Sequence, residues 1–369
     1  MKYYIIAGEA SGDLHGSNLM KALYKEDTTA DIRFWGGDLM EKVGGTLVSH
    51  YKERAFMGFL EVFLNLFKVL GFIKSCKKDI AKFQPDVIVF IDNSGFNLRI
   101  AKWAKQKGFK TNYYISPQVW ASRASRVKSI KRDVDKMFVI LPFEKEFYKK
   151  YDYDVTFVGH PLIDAIKSSY VFNEVSFRKA YNLNNKPIIA LLPGSRKQEI
   201  TKMLSVMLSL IDDFSEYQFV IAGAPNQEID FYRQIIGTKR VRFINNRTYD
   251  LLSASSAALV ASGTATLETA LFKVPQVVCY KGSNTSYQIA KRIITLKYIS
   301  LVNLIMDKEV VKELIQNDFN TKNLKEALTT ILDEKHREKL YLQYYELEKI
   351  LGGKGASENV AKQIVKGLK

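Results

Sequence analysis

The sequence predicts two Rossmann-like, doubly wound α/β lobes of parallel sheet, and three observations predict them. Short β-branched or aromatic runs alternate with longer helical patterns along nearly all of the chain. Those runs are continuously apolar, as strands covered by helices on both faces are. At 369 residues the chain exceeds one ordinary core, so its two series of strands imply two lobes.

In the first lobe strands are expected at Tyr3–Ala7, Ile32–Trp35, Val87–Ile91, Thr111–Ile115, Met137–Ile140 and Val155–Val158, each followed by a turn and a helix. In the second they are expected at Ile188–Leu192, Phe219–Ala222, Val241–Ile244, Ala258–Val260 and Gln276–Tyr280. The polar stretch Lys167 to Lys186 reads as the linker, which divides the chain into residues 1–170 and 171–344. Lys335 to Lys369 is helical in pattern, with a break at Gly352-Gly353.

Composition narrows the class. Hydrophobic residues at 47% and charged ones at 25% are those of a folded globular protein. No low-complexity tract or repeat appears. The apolar run at the N-terminus is too short for a signal peptide, so the chain is expected to stay in the cytoplasm. Cys76 and Cys279 lie far apart without C-x-x-C spacing, which suggests neither a disulfide nor a zinc site; both read as buried small hydrophobes. A net charge of +16 favours an anionic partner: nucleic acid, acidic lipid or a phosphorylated substrate.

Open α/β sheets bind ligands beyond the carboxyl ends of their strands, and four loops there carry unusual chemistry. Gly8-Glu9-Ala10-Ser11-Gly12-Asp13 follows the first strand; its small residues admit a ligand, while Glu9 and Ser11 exceed what a turn capped by Asp13 requires. It is not a G-x-G-x-x-G loop, so a dinucleotide is not indicated. Asp92-Asn93-Ser94-Gly95-Phe96-Asn97 offers Asp92 as a general base or, more simply, as a cap. In the second lobe, Gly194, Ser195 and Arg196 of Pro193-Gly194-Ser195-Arg196 suit a phosphate, the guanidinium gripping two oxygens. Ser262-Gly263-Thr264-Ala265-Thr266-Leu267-Glu268 suits a diphosphate through its amides and the Thr264 and Thr266 hydroxyls. Glu268 is placed for ribose hydroxyls or for a capping box. Two such turns in one lobe suggest a nucleotide diphosphate.

Phe56 to Ile73 is almost wholly apolar, with Glu61, Asn65 and Lys68 on one narrow stripe and Phe59, Phe63 and Phe67 on another. A transmembrane span is disfavoured by its length, its charges and the need for flanking strands to share one sheet. A core helix normally keeps a broader polar face, so a helix dipping into lipid fits better, beside flanking Lys52, Arg54, Lys74, Lys77 and Lys78. The cluster Arg123, Arg126, Lys128, Lys131 and Arg132 reads as a solvated face or as a site for lipid headgroups or an acceptor phosphate.

Taken together, Gly8–Asp13, Ser116-Pro117-x-x-Trp120, Leu141-Pro142-Phe143-Glu144, Val158-Gly159-His160-Pro161, Leu191–Arg196, Ser262–Glu268 and Ser300-Leu301-x-Asn303-Leu304 resemble the lipid-A-disaccharide synthases, in family order across almost the whole chain. The resemblance implies a GT-B fold, two lobes facing a central cleft, with acceptor on the first and UDP-sugar on the second. Residues 345–369 would pack back on the first lobe. It implies inverting transfer of 2,3-diacylglucosamine from UDP to the 6-hydroxyl of 2,3-diacylglucosamine 1-phosphate, with no cofactor and no metal. Arg196, Thr264 and Thr266 would hold the leaving diphosphate, Glu268 the ribose, and Asn303 belongs to the donor site. Glu9, Ser11 and Asp92 would line the acceptor side, with Phe59, Leu60, Phe63, Phe67, Arg123 and Arg126 meeting acyl chains and membrane. The expected setting is the cytoplasmic face of the inner membrane, without nucleic acid; a homodimer is left open.

One departure stands out: the family's D-x-P-D-F-N aligns with Asp92–Asn97 and has Gly95 at its second Asp. The base then falls to Asp92, Glu9 or His160. The alternatives are another GT-B UDP-sugar enzyme, such as a peptidoglycan-type glycosyltransferase or a UDP-GlcNAc epimerase, and a basic nucleic-acid binder. An epimerase has no use for the Phe56–Ile73 patch. A nucleic-acid groove would interleave its aromatics with the basic residues, whereas here they sit in an apolar segment.

Overall fold

The computed structural model describes residues 1–54, 66–122, 124–167, 172–225, 227–283 and 296–369. The chain divides into two compact units, residues 1–167 with 351–369, and residues 168–350.

The first unit is built on seven strands: β1 (Lys2–Ala7), β2 (Asp31–Gly36), β3 (Thr46–His50), β4 (Val87–Ile91), β5 (Thr111–Tyr114), β6 (Lys136–Val139) and β7 (Thr156–Phe157). They pair in parallel in the order β3-β2-β1-β4-β5-β6-β7. The order reverses between β1 and β4, which opens a crevice beyond their carboxyl ends. Ala7 pairs with Ile91, so Gly8 and Asp92 leave the sheet at the same level.

Continuous apolar sequence is explained by packing on both faces. Tyr4, Ile6, Ile88 and Phe90 enter one core with Ile73, Cys76 and Ile80 of the helix Leu66–Phe83 and with Ile100 and Ala104 of the helix Ser94–Gln106. Tyr3, Ile5, Val87 and Val89 enter the other, with Leu19 and Leu23 of the helix Ala10–Glu26 and with Val360, Ala361, Ile364 and Val365 of the last helix, Ala356–Lys366. The last helix therefore belongs to the first unit. Its entry is fixed by Gly355 N–H donating to Asp164 (2.7 Å) and His160 N–H donating to the Leu351 carbonyl (2.9 Å). The Val158–Pro161 motif thus serves to dock the returning chain.

The helix Leu66–Phe83 is tied to the sheet through a polar network. Arg33 grips both Asp79 oxygens (2.8 and 2.7 Å), Tyr4 donates to Asp79 (2.8 Å), and the Trp35 indole donates to Tyr4 (2.8 Å). Of the apolar stretch before it, residues 56–65, with Phe59, Leu60 and Phe63, lie outside the described residues, as does Arg123; Phe67 falls in the helix's first turn. No helix among the described residues is long and apolar enough to cross a membrane.

The second unit has six strands, β8 (Ile188–Leu192), β9 (Gln218–Gly223), β10 (Arg242–Asn245), β11 (Ser255–Ala261), β12 (Gln276–Tyr280) and β13 (Lys312–Ile315). Their order, β10-β9-β8-β11-β12-β13, repeats that of the first sheet, with the reversal between β8 and β11. Val260 pairs with Leu192, so the loops after these two strands also leave side by side.

Two strands were not expected from the sequence, β3 and β13. Both lie at a sheet edge, and their sequences, Thr-Leu-Val-Ser-His and Lys-Glu-Leu-Ile, lack the continuous apolar run of a central strand. The expected linker is also corrected. Within it the helix Glu174–Ala180 is capped by Asn173, whose side chain accepts from Ser176 N–H (2.9 Å). Phe177 is buried in the second unit's core, so this stretch is part of that unit. Both cysteines are buried.

Candidate functional site

All four ligand-type loops fall at the two topological switch points. In the first unit the loops after β1 and β4 are locked together by a glycine: a Cβ on Gly8 would lie 1.7 Å from Asn93 Nδ2. Asp92 and Asn93 are both left-handed, with φ of 46° and 42°. Consecutive left-handed non-glycine residues are strained and need surroundings that hold them.

This crevice carries two carboxylates. The Asp92 carboxyl is pushed above its ordinary value by burial, against a hydrogen bond from Asn93 N–H. Glu9 is also pushed up, by partial desolvation and then by the Asp92 charge. Ser11 is exposed on the first turn of the helix Ala10–Glu26, whose N-cap residue Glu9 makes no side-chain cap. Gly95 is exposed in the first turn of the helix Ser94–Gln106, and a Cβ there would meet nothing within 4 Å. A crowded carboxylate pair at a strand mouth is suited to taking a proton from a hydroxyl.

Asp13 does not cap its own helix. Its buried carboxylate accepts from Gly37 N–H (2.8 Å), Leu39 N–H (3.0 Å) and Met40 N–H (3.1 Å), capping the helix Asp38–Val43 instead. His160 is corrected as a base. Burial and the nearby His15 push its imidazole down to about 3, and its Nδ1 accepts from Leu162 N–H (3.3 Å). Arg126 is exposed next to Lys128, Lys131 and Arg132.

Two motifs that are separate in sequence meet around Glu144, a motif residue to which the sequence assigns no role. Its buried carboxyl accepts from the Ser116 hydroxyl, Leu141 N–H (2.9 Å) and Ile140 N–H (3.3 Å). Trp120 stacks edge-on to Phe143 at 4.9 Å. Burial outweighs these donors and pushes the carboxyl up to about 7. The folded state therefore holds this proton to higher pH than the unfolded chain, where the group titrates near 4.5. Its contribution to stability is complete below that value and is lost as pH rises through about 7, about 3 kcal/mol in all. Thermal melts from pH 5 to 8 are expected to show this decline, and Glu144→Gln to flatten it.

In the second unit, Gly194 has φ 103°, and Arg196 stands 82% exposed at the N-cap of the helix Lys197–Leu208, with a 3.4 Å contact to Glu199. Across the switch point Gly263 starts the helix Thr264–Leu271. Among the described residues the N-cap side chain of neither helix caps it, which suits first-turn N–H groups to an anion. Ser195 and Thr264 are exposed, and Ala265 half-buried. Thr266 is corrected: it is fully buried and its hydroxyl donates to the Gly263 carbonyl (2.8 Å). The Ser262 hydroxyl likewise donates to Ile299 (2.8 Å).

Glu268 is not a capping-box residue. It lies beyond the first turn, accepts from the Tyr249 hydroxyl (3.0 Å) and is pushed up by burial. Tyr249 also lines a cavity of about 410 Å³ beyond β9 and β10, with Pro225, Asn246, Arg247, Thr248 and Asp250. Asn303 is corrected as a ligand-binding group. Its amide donates to Val311 (2.8 Å) and Glu313 (2.9 Å) and accepts from Val310 N–H and Val311 N–H (2.8 and 3.0 Å). It is wholly buried and clamps the approach to β13. Among the described residues no group of three or more His, Cys, Asp or Glu is placed to hold a metal ion.

Residues 3–366 match the family model described as lipid-A-disaccharide synthetase. The chain is 39% identical over 367 residues to the lipid-A-disaccharide synthase of Syntrophus aciditrophicus, covering 97% of this chain and 95% of that one. It is 36% identical over 366 residues to the synthase of Coxiella burnetii (strain CbuG_Q212), covering 98% and 96%. Among solved structures it resembles the UDP-GlcNAc 2-epimerase of Neisseria meningitidis bound to UDP-GlcNAc, with TM-score 0.71, 15% identity and coverage of 99% and 100%. It also resembles the glycosyltransferase of kitacinnamycin, with TM-score 0.67, 12% identity and coverage of 100% and 99%. At such identities the likeness concerns the fold, which is GT-B.

Proposed function

The chain belongs to the lipid-A-disaccharide synthetase family and is a glycosyltransferase, and we propose that its two switch points divide the reaction between them. The donor is UDP-2,3-diacylglucosamine and the acceptor 2,3-diacylglucosamine 1-phosphate. Asp92 takes the proton of the acceptor 6-hydroxyl as its oxygen forms a bond to C1 of the donor sugar. The bond from that carbon to the diphosphate breaks with inversion, giving a β-1′,6-linked disaccharide 1-phosphate and UDP. Burial raises the basicity of Asp92, and the Asp92 charge in turn adds to the rise of the Glu9 carboxyl.

On the second unit the uncapped helix starts at Lys197 and Thr264, with Arg196, receive the diphosphate and stabilise the charge that builds on it. This reading requires no metal. Glu268, its carboxylate steadied by Tyr249, takes the ribose, and the adjoining cavity takes the base. The observation that carries the assignment is this sorting: Glu9 and Asp92 stand at one switch point, while the exposed Arg196 guanidinium stands at the other. The net charge of +16 and the apolar stretch ending at Ile73 support a peripheral site of action on the cytoplasmic face of a membrane.

The test is UDP release by the purified protein in mild detergent, given UDP-2,3-diacylglucosamine with and without 2,3-diacylglucosamine 1-phosphate. Release that requires acceptor and yields a disaccharide is expected. UDP binding without acceptor-dependent release would overturn the assignment of the acceptor.

A further inference from the structure

The Asp92 side chain is presented by a backbone that would not adopt its shape unaided. Asp92 and Asn93 are left-handed in succession; both types enter that region more readily than other side chains, yet each keeps a steric cost that glycine lacks. Two buried side chains from different elements converge on the Asp92 carbonyl. Asn97 Nδ2, from the helix Ser94–Gln106, donates to it at 2.9 Å, and the Tyr113 hydroxyl, from β5, donates to it in a short hydrogen bond. The same Asn97 amide reaches the carbonyls of Ile91 (3.1 Å) and Ile6 (3.4 Å), so it spans the ends of β4 and β1. Both side chains are wholly buried.

This arrangement is more than packing requires. Tyr113 lies among Phe90, Ile88 and Tyr148 in an apolar core, where a phenylalanine would fill the space without a hydroxyl to satisfy. Burial keeps the phenol protonated, so it remains a donor. Asn97 spends its amide hydrogens on these carbonyls while, among the described residues, its own Oδ1 has no partner. Fixing the carbonyl fixes the peptide plane between Asp92 and Asn93. With it is fixed the direction in which the Asp92 carboxylate leaves the backbone.

We propose that Tyr113 and Asn97 are positioning residues for the glycosyl transfer, holding the Asp92 carboxylate on its hydroxyl through the Asp92 main chain. The inference rests on the reading of Asp92 as the base. A displacement of the base by about an ångström costs roughly a hundredfold in rate, so the effect belongs in kcat and not in donor binding.

The experiment measures kcat, KM for the donor, the acid limb of kcat/KM and the melting temperature for Tyr113→Phe and Asn97→Ser, in the wild-type and Asp92→Asn backgrounds. Tyr113→Phe is expected to lower kcat about 10- to 100-fold with KM for the donor unchanged, to displace the acid limb, and to cost little further in Asp92→Asn. Asn97→Ser supplies the same readouts if Tyr113→Phe folds poorly. An unchanged kcat and acid limb in both variants would overturn the proposal while leaving Asp92 as base. An equal loss in the Asp92→Asn background would overturn it as well, because the effect would then not pass through Asp92. Full activity in Asp92→Asn alone would instead bring down the reading of the base, and the proposal with it.

Discussion

Asp92→Asn is expected to lower kcat by about 10²–10⁴-fold, the range lost with a general base, and to leave donor binding and the melting temperature close to those of the parent. The substitution keeps shape and removes the charge. The pH profile gives the assignment a second edge. A base works only when ionised, so activity is lost as pH falls through its pKa. Because burial raises the Asp92 carboxyl, the acid limb of the parent should lie above the usual carboxylate range. In Asp92→Asn that limb should vanish or pass to Glu9, whose own carboxyl is raised in part by Asp92 and relaxes when that charge is gone. Parent-like turnover in Asp92→Asn with a collapse in Glu9→Gln would transfer the role to Glu9.

Arg196→Ala is expected to cost about 10²–10³-fold in kcat, the loss typical when one donor to a developing anion is removed. The protein should remain folded, because the side chain is 82% exposed and, among the described residues, its ion pair is one long contact to Glu199. An exposed ion pair of this kind contributes at most about 1 kcal/mol. Arg196→Lys should recover part of the activity, since an ammonium supplies the charge without the paired donors that match two phosphate oxygens. Near-parent turnover in Arg196→Ala would remove Arg196 from the leaving-group site.

How much of this was legible in the sequence depends on where each feature is encoded. The central strands were read because burial on both faces writes a continuous apolar run, as at Val87–Ile91 and Ile188–Leu192. The edge strands β3 and β13 escaped because only part of each is covered, and their mixed sequences match loops as well as strands. The four loops were legible because small residues next to a lone carboxylate or arginine are unusual after a strand. What each side chain does there was not. Thr266 and Asn303 look like ligand groups in sequence, yet both spend their hydrogen bonds on the chain. Glu144 and Ser116 carry no local sign that they meet, being separated by 28 positions. Tyr113 is one aromatic among several in a strand, and only the carbonyl it reaches distinguishes it.

The two sheets share one strand order over six strands, β7 being the first sheet's addition, so topology alone would offer a nucleotide two berths. Charge distinguishes them. A diphosphate approaching the β1–β4 crevice would meet Glu9 and Asp92, and like charges at close range repel in a partly desolvated setting. The same group approaching β8 and β11 would meet the exposed Arg196 guanidinium, with Glu199 beside it. The carboxylates proposed to drive the chemistry would thus also act as an address label, keeping the donor off the acceptor's berth without any steric barrier. Neutralising both, in a Glu9→Gln/Asp92→Asn protein, would erase that label. In that inactive enzyme a second UDP per chain is expected to bind, which a calorimetric titration would read as a doubled stoichiometry.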